Sequence, residues 1–459
     1  MTTVTSQPIT TRRERWAWYL YDFGNSAYAA VVLLAVYSAY FQGKVVGGAE
    51  GSRLWGLAVG IAMLVVAVTS PVLGAIADFS GAKKLFLFVY TAASVLFTAS
   101  LFFATPGNLL IGMGCFILAE IGYRGAQVFY NALLPEIATH EEMGRVSGYG
   151  WAIGTAGGVI CLLLILPLIM FFGDTFADDT FIVRLSLVIT ALFWALSAVP
   201  IFLWLTERAE SRPLPPGENY LSAAFTQLRD TIRKAGRFKE FVKYMAAFLI
   251  YNDGVIMALD FAAIIGAVLF GMDQEMLIVF VIVVQITNVV GAYAFGLLVD
   301  RIGGKRSLVI SILMMIGVVI WLRFNQTQTG FFIIGAVAGF AMAGVQSVSR
   351  TMVAMFSPPG QSAEFYGFFA VAGRTSSFIG PAVYGWVAAE AALWYQAQGQ
   401  AVALAEQSGQ RLAILSIGVF LLVGLALLWF VNESKARESA SGIAIPVLKP
   451  HRRKTDGAG

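Results

Sequence analysis

Six ionisable residues stand inside long apolar runs: Asp22, Glu120, Arg124, Asp253, Asp260 and Arg374. On insertion scales an ionisable side chain at the centre of a bilayer costs roughly 2.5–3.5 kcal/mol, so each of the six needs either a partner or a function. Four acids against two bases leave an excess of two negative charges if all ionise. Repulsion and desolvation oppose that state, so some of the acids hold protons near neutral pH or a cation fills the deficit. Either outcome is the chemistry of a coupling site. Glu120 and Arg124, four residues apart on one helix face, can pair with each other. Asp260 follows Asp253 by two helical turns on the same face, where it can relay a proton or pair with Arg374. Asp22 has Asn25 as a local partner, in a polar Gly24-Asn25-Ser26 setting that can also open the helix to a ligand. Arg374 can bind a carboxylate through its planar fork or neutralise an aspartate.

These residues must be carried by membrane spans. Of the 459 residues 58% are hydrophobic and 13% charged, a balance suited to lipid rather than water. Roughly 20 apolar residues cross the hydrocarbon core as a helix. Runs of that length predict twelve spans, at 16–43, 54–77, 85–104, 108–134, 147–172, 183–206, 242–270, 275–299, 306–323, 329–349, 363–389 and 410–432. The third and fourth are separated at Thr105-Pro106-Gly107-Asn108, a turn signal. The resulting plan is a cytoplasmic tail (1–15), a six-helix half (16–206), a linker (207–240), a second six-helix half (241–432) and a cytoplasmic tail (433–459). Twenty-four Lys and Arg residues fall on the side of the termini against five on the other, which places both termini in the cytoplasm.

Self-similarity divides the chain in two. Gly74-Ala-Ile-Ala-Asp78-Phe-Ser-Gly81-Ala-Lys83-Lys84 after the second span is repeated by Gly296-Leu-Leu-Val-Asp300-Arg301-Ile-Gly303-Gly304-Lys305-Arg306 after the eighth. Tyr21-Asp22-Phe23-Gly24 is loosely echoed by Tyr251-Asn252-Asp253-Gly254, and Gly148 and Gly154 by Gly367 and Gly373. Such repeats are a common way of building transporters. The glycines of the fifth and eleventh spans read as close helix packing. Trp16, Trp18, Trp55, Trp194, Trp204 and Trp386 read mostly as interfacial anchors.

Several classes are excluded. No phosphate loop is present, since Gly303-Gly304-Lys305 is followed by Arg306, so ATP does not drive this chain directly. The two histidines, His140 and His451, lie in a loop and a tail and predict neither a metal site nor a histidine base. Glu136, near His140, reads as part of a solvated loop. Cys115 and Cys161 sit in apolar runs as small hydrophobes. A net charge of +4 without a basic face argues against nucleic acid. The chain is expected to be no enzyme and to need no cofactor.

The paired loops resemble the signature of the major facilitator superfamily, over roughly Trp16 to Asn432. Tyr21-Asp22-Phe23-Gly24-Asn25-Ser26-Ala27-Tyr28 and Tyr130-Asn131-Ala132-Leu133-Leu134-Pro135-Glu136-Ile137 further resemble its branch of vacuolar amino-acid effluxers and their bacterial permease relatives. The resemblance implies that the first, fourth, seventh and tenth helices surround a central cavity, and five of the six intramembrane charges fall on that set. It implies a gating latch in which Asp78 meets the start of the eleventh helix near Ser362 to Phe365 and Asp300 meets the fifth near Val146 to Gly148. Lys83, Lys84, Arg301, Lys305 and Arg306 would hold these carboxylates or anchor the loops at headgroups. Arg124 is similar to the helix-four arginine of proton-coupled members, with Val128 where a glycine would follow Gln127.

The leading expectation is a monomeric secondary transporter in a bacterial plasma membrane. It would export a small zwitterion, an amino acid first, by alternating access coupled to protons or another ion. Asp253 and Asp22 would carry the proton, and Arg124 or Arg374 would receive the anionic group. Efflux of hydrophobic cations is the alternative within this class. A lipid-translocating or sensory protein on the same fold is the alternative outside it.

Overall fold

The computed structural model describes residues 11–138, 143–173, 175, 178–208, 238–357, 369, 373 and 379–441. Arg374, the linker from 209 to 237 and the side chain of Asp78 lie outside the described residues, as does the predicted start of the eleventh helix. The described elements are helices joined by short turns. They are α1 (Arg12–Val46), α2 (Gly48–Ser80), α3 (Lys83–Phe103), α4 (Leu109–Ala132), α5 (Met143–Phe172) and α6 (Phe181–Trp204). The second set is α7 (Lys239–Asp260, resuming at Ala262–Phe270), α8 (Gln274–Ile302), α9 (Gly304–Phe324), α10 (Gln328–Phe356), α11 (Ile379–Ala397) and α12 (Val402–Trp429). A short α13 (Glu433–Ser441) follows.

Among the described residues eleven helices are long and apolar enough to cross a membrane, and α11, with 19 described residues, is the long helix outside that set. The chain is a multi-pass integral membrane protein. Apolar side chains such as Leu110, Phe171 and Trp429 point outward, as a lipid-facing surface requires. Several helices overrun their apolar stretches because local caps, not hydropathy, set their ends. Thr11 and Glu14 form a capping box at the start of α1, and Asn108 and Asp273 cap α4 and α8. Gly81 and Gly303 take positive φ (63° and 89°) after α2 and α8, so in the second loop motif the left-handed position falls on Gly303 rather than Gly304.

Two helices are irregular. In α1, Ala29–Ala35 and Phe41–Val46 are wound as π-helix, separated by Val36 and a turn of α-helix. In α7 the helix breaks at Phe261. Inserted π turns often mark functional positions.

Within each half the first helix packs against the fifth and sixth, and glycines permit the approach. A Cβ at Gly157 of α5 would overlap the Phe23 carbonyl of α1, and one at Gly424 of α12 would meet Tyr251 of α7. The halves meet through α2 against α11 and α5 against α8. At the first of these contacts a Cβ on Gly56 would overlap the Pro381 carbonyl.

A collar at the end carrying the termini is built twice. Glu14 accepts the Thr206 N–H at 3.2 Å, and Glu240 accepts the Asn432 N–H at 2.7 Å, 226 residues on at both partners. Glu207 accepts the N–H groups of Lys83 (2.6 Å) and Lys84 (3.1 Å) at the start of α3. Its counterpart Glu433 accepts those of Gly304 (3.4 Å) and Lys305 (3.0 Å) at the start of α9. A carboxylate so placed satisfies orphan donors and complements the helix dipole. The Lys84 ammonium donates to the carbonyls of Phe202 and Leu205 at the end of α6, and that of Lys305 to Trp429 and Val431 at the end of α12. These two lysines clip the third and sixth helices of their own half.

Candidate functional site: buried charges between the halves

Glu120 is fully buried on α4, and Arg124 one turn on donates from Nε to its Oε1 at 2.7 Å. The i, i+4 spacing makes this pair, as the sequence predicts. It is not self-sufficient. The second oxygen, Oε2, has no hydrogen-bond partner, and the Arg124 guanidinium lies 5.2 Å from the Tyr123 ring centroid. Across the half boundary, Asp260 of α7 feels the charges of both Arg124 and Glu120. Asp260 is 2% exposed and its Oδ2 is also unpartnered. Among the described residues the base facing Asp260 is therefore Arg124.

Asp253 is 1% exposed. Its Oδ2 accepts the backbone N–H of Gly380 at 3.0 Å, while Oδ1 has no partner. Gly380 leaves the space: a Cβ there would stand 3.1 Å from the Asp253 carboxyl carbon and 2.7 Å from a Met257 side-chain carbon. Asp253 and Asp260 are close enough to influence each other's charge.

Asp22 is partly buried on α1, and Gly154 of α5 gives it room, since a Cβ at 154 would overlap its carboxylate. The local alternative does not hold, because neither amide atom of the buried Asn25 makes a hydrogen bond. Among the described residues the base acting on Asp22 is Arg350 of α10, one residue past the predicted tenth span. The apolar run stops short of this residue, but α10 continues to Phe356. With Arg350 counted, the negative excess of the intramembrane set falls from two to one.

Aromatic side chains pack around these buried charges. Tyr28 stacks on Tyr123 (4.6 Å between centroids), and Trp194 stands 5.9 Å from Tyr28 and 6.0 Å from Tyr123. The buried Tyr28 hydroxyl lies beside Glu120 and the buried Trp194 indole N–H beside Tyr21, although neither completes a hydrogen bond of ordinary geometry. Trp18 stacks on Tyr130 at 4.4 Å and donates to its carbonyl at 3.1 Å. Trp18, Trp55 and Trp194 are thus core residues, whereas Trp16 and Trp386, 44% and 59% exposed, fit the anchoring role. The missed signal was the tyrosine register at 21 and 28, two turns apart, and at 123 and 130, likewise.

The loop motifs are placed less as expected. Asp300 is exposed and makes no hydrogen bond or ion pair among the described residues, and Arg301 and Arg306 are exposed. Gly74 and Gly296 face open space. Lys83 pairs with Glu136 at 3.0 Å, both side chains largely buried, and Glu136 also accepts the Arg208 N–H, so it is a structural member of the collar rather than a solvated loop residue.

Among the described residues, hydrogen bonds run from side chains of one half to groups of the other at Arg53–Glu390, Gln410–Ser52, Trp55–Asp260 and Gln274–Ala35. All lie toward the end remote from the termini, while the buried acids with unpartnered oxygens lie on helices of both halves. Two sets of membrane helices with buried charges between them are the build of a transporter of the major facilitator type. A bacterial homologue of the human lysosomal transporter Spinster, in an inward-facing and occupied conformation, superposes with TM-score 0.69 at 14% identity, over 94% of this chain and 97% of that one. A D-xylose–proton symporter superposes with TM-score 0.64 at 14% identity, over 92% and 98%. The family described as vacuole effluxer Atg22 like matches residues 55–441, and the chain belongs to it. An uncharacterized MFS-type transporter, YxiO of Bacillus subtilis (strain 168), is 26% identical over 92% of this chain and 95% of its own length. Autophagy-related protein 22-1 of Penicillium rubens is 24% identical over 64% of this chain and 50% of its own length, so the chain spans about half of that fungal relative.

Proposed function

We propose that the protein exports a small zwitterion, an amino acid first, across a bacterial plasma membrane in exchange for protons. The observation that carries this reading is the set of unpartnered acid oxygens, Glu120 Oε2, Asp253 Oδ1 and Asp260 Oδ2, gathered with Arg124 between the halves. A buried acceptor without a donor is costly, so the resting site is completed by a proton or by a ligand that brings donors. An ammonium group suits Asp253 and Asp260, and a carboxylate suits the guanidinium edge of Arg124 that Glu120 leaves open. A zwitterion brings both.

The basic bias of the loops puts the termini in the cytoplasm and the four cross-half contacts at the outer face. The chain then rests open to the cytoplasm, in keeping with the exposed Asp300. Transport proceeds by rocking the halves about the buried charges, with twelve spans, as in other repeat-built carriers. Asp253 and Asp22, each leaning on a glycine of its own half, are the proton carriers.

The aromatic wall of Tyr28, Tyr123 and Trp194 together with the excess of acceptors favours one second reading, efflux of hydrophobic cations. Counterflow in proteoliposomes separates the two. Vesicles loaded with unlabelled alanine, leucine, lysine or glutamate should accumulate the matching labelled amino acid for at least one of the four. Accumulation of tetraphenylphosphonium with no amino-acid counterflow would replace the first reading by the second.

A further inference from the structure

The two irregular helices break at the same place in the repeat. Val36 in α1 (φ −114°) and Phe261 in α7 (φ −108°) are 225 residues apart. The residue just before each break gives its backbone carbonyl to a side chain from the opposite half. Gln274 Nε2, at the start of α8, donates to Ala35 O at 2.5 Å. Trp55 Nε1, near the start of α2, donates to Asp260 O at 2.9 Å. Each donor thus comes from the second helix of one half and each acceptor from the first helix of the other. Trp55 is fully buried, with Phe116 against it at 4.4 Å, so its indole direction is fixed by packing. In an unbroken helix the carbonyls point along the axis to their own ladder, whereas at an irregular turn they tilt outward and can be met across an interface.

We infer that these two hydrogen bonds form a paired outer gate, and that Trp55 and Gln274 are positioning residues for the transport cycle. Each holds a broken first helix against the second helix of the other half, and both bonds are given up when the outer side opens. Asp260 belongs to the gate through its carbonyl and to the buried charges through its carboxylate, so ligand arrival reaches the gate within one residue. The inference rests on the alternating-access reading above.

The test uses the full chain with Cys115→Ser, Cys161→Ala, Thr105→Cys and Thr329→Cys, spin-labelled at the two exposed outer positions and measured by pulsed dipolar spectroscopy in nanodiscs. The parent should give a dominant short distance. Trp55→Phe with Gln274→Leu should at least double the fraction at longer distance, and each single substitution should give an intermediate change. Tyr40→Phe, which removes a buried side-chain bond to Ala104 O inside one half, should leave the distribution as in the parent. An unchanged distribution in the double variant overturns the gate, as does an equal change in Tyr40→Phe. If the double variant does not fold, two unchanged single variants overturn it. The measurement needs no solute, so a failure of solute counterflow with an intact gate response would count against the proposed substrate and not against the gate.

Discussion

Asp253 of α7 rests one carboxylate oxygen on the backbone N–H of Gly380 in α11, at 3.0 Å, and leaves the other without a partner. The first half repeats the arrangement in outline, with Asp22 of α1 lying over Gly154 of α5. In each half an acid on the first helix is seated against a glycine of the fifth. One such seat is a packing solution. Two, if the halves rock as proposed, would let the charge on an acid alter how its helix sits.

Removing the charge at Asp253 should stop coupled movement while sparing exchange. In Asp253→Asn the amide can still accept the Gly380 N–H, so the fold should persist. Downhill counterflow should stay within about threefold of the parent, and accumulation driven by a pH gradient should be lost. Loss of both would assign Asp253 to solute binding.

Gly154 and Gly157 should respond differently to alanine. The neighbour of a Cβ at 154 is a side chain, Asp22, which can turn away, whereas at 157 it is the Phe23 carbonyl, which cannot. Overpacking of a fixed neighbour costs roughly 1–3 kcal/mol. Gly157→Ala should lower the melting temperature in detergent, and Gly154→Ala should melt near the parent but show a shifted pH profile of transport. The reverse pattern would contradict the seat.

Glu433→Gln and Glu207→Gln should each destabilise. Each removes the charge that complements a helix N-terminus, an effect of roughly 0.3–1 kcal/mol, while the amide oxygen can still cap. Alanine at either position should cost more, about 1 kcal/mol typically for a lost cap. Thermal unfolding should rank parent, Gln variant and Ala variant in that order.

Much of this architecture is legible in the residues. The matched Asp78 and Asp300 loops predict the repeat, and the apolar runs predict most of the spans. The Glu120–Arg124 pair follows from spacing alone. What hydropathy misses is whatever backbone chemistry decides: α10 running on to Arg350, the π turns of α1, and the collar in which Glu207 and Glu433 cap distant helices. Asn25 stands one helical turn from Asp22 and looks like its partner in sequence, yet neither of its amide atoms makes a hydrogen bond. The cross-half meeting of Arg124 and Asp260 is invisible in sequence because it depends on how two separately folded halves dock.

Arg350→Gln should weaken transport without unfolding the chain, because it removes the base that acts on Asp22. The defect should be largest at alkaline pH, where Asp22 most needs a counter-charge. A defect independent of pH would place Arg350 outside the coupling set.

The claim that the buried acids couple solute to protons is tested most directly by proton movement itself. Proteoliposomes holding pyranine in weak buffer are given whichever of alanine, leucine, lysine or glutamate supports counterflow. The parent should change internal pH as the solute moves, and Asp253→Asn should move the solute with no pH change. Counterflow by the parent with no accompanying pH change would contradict the account.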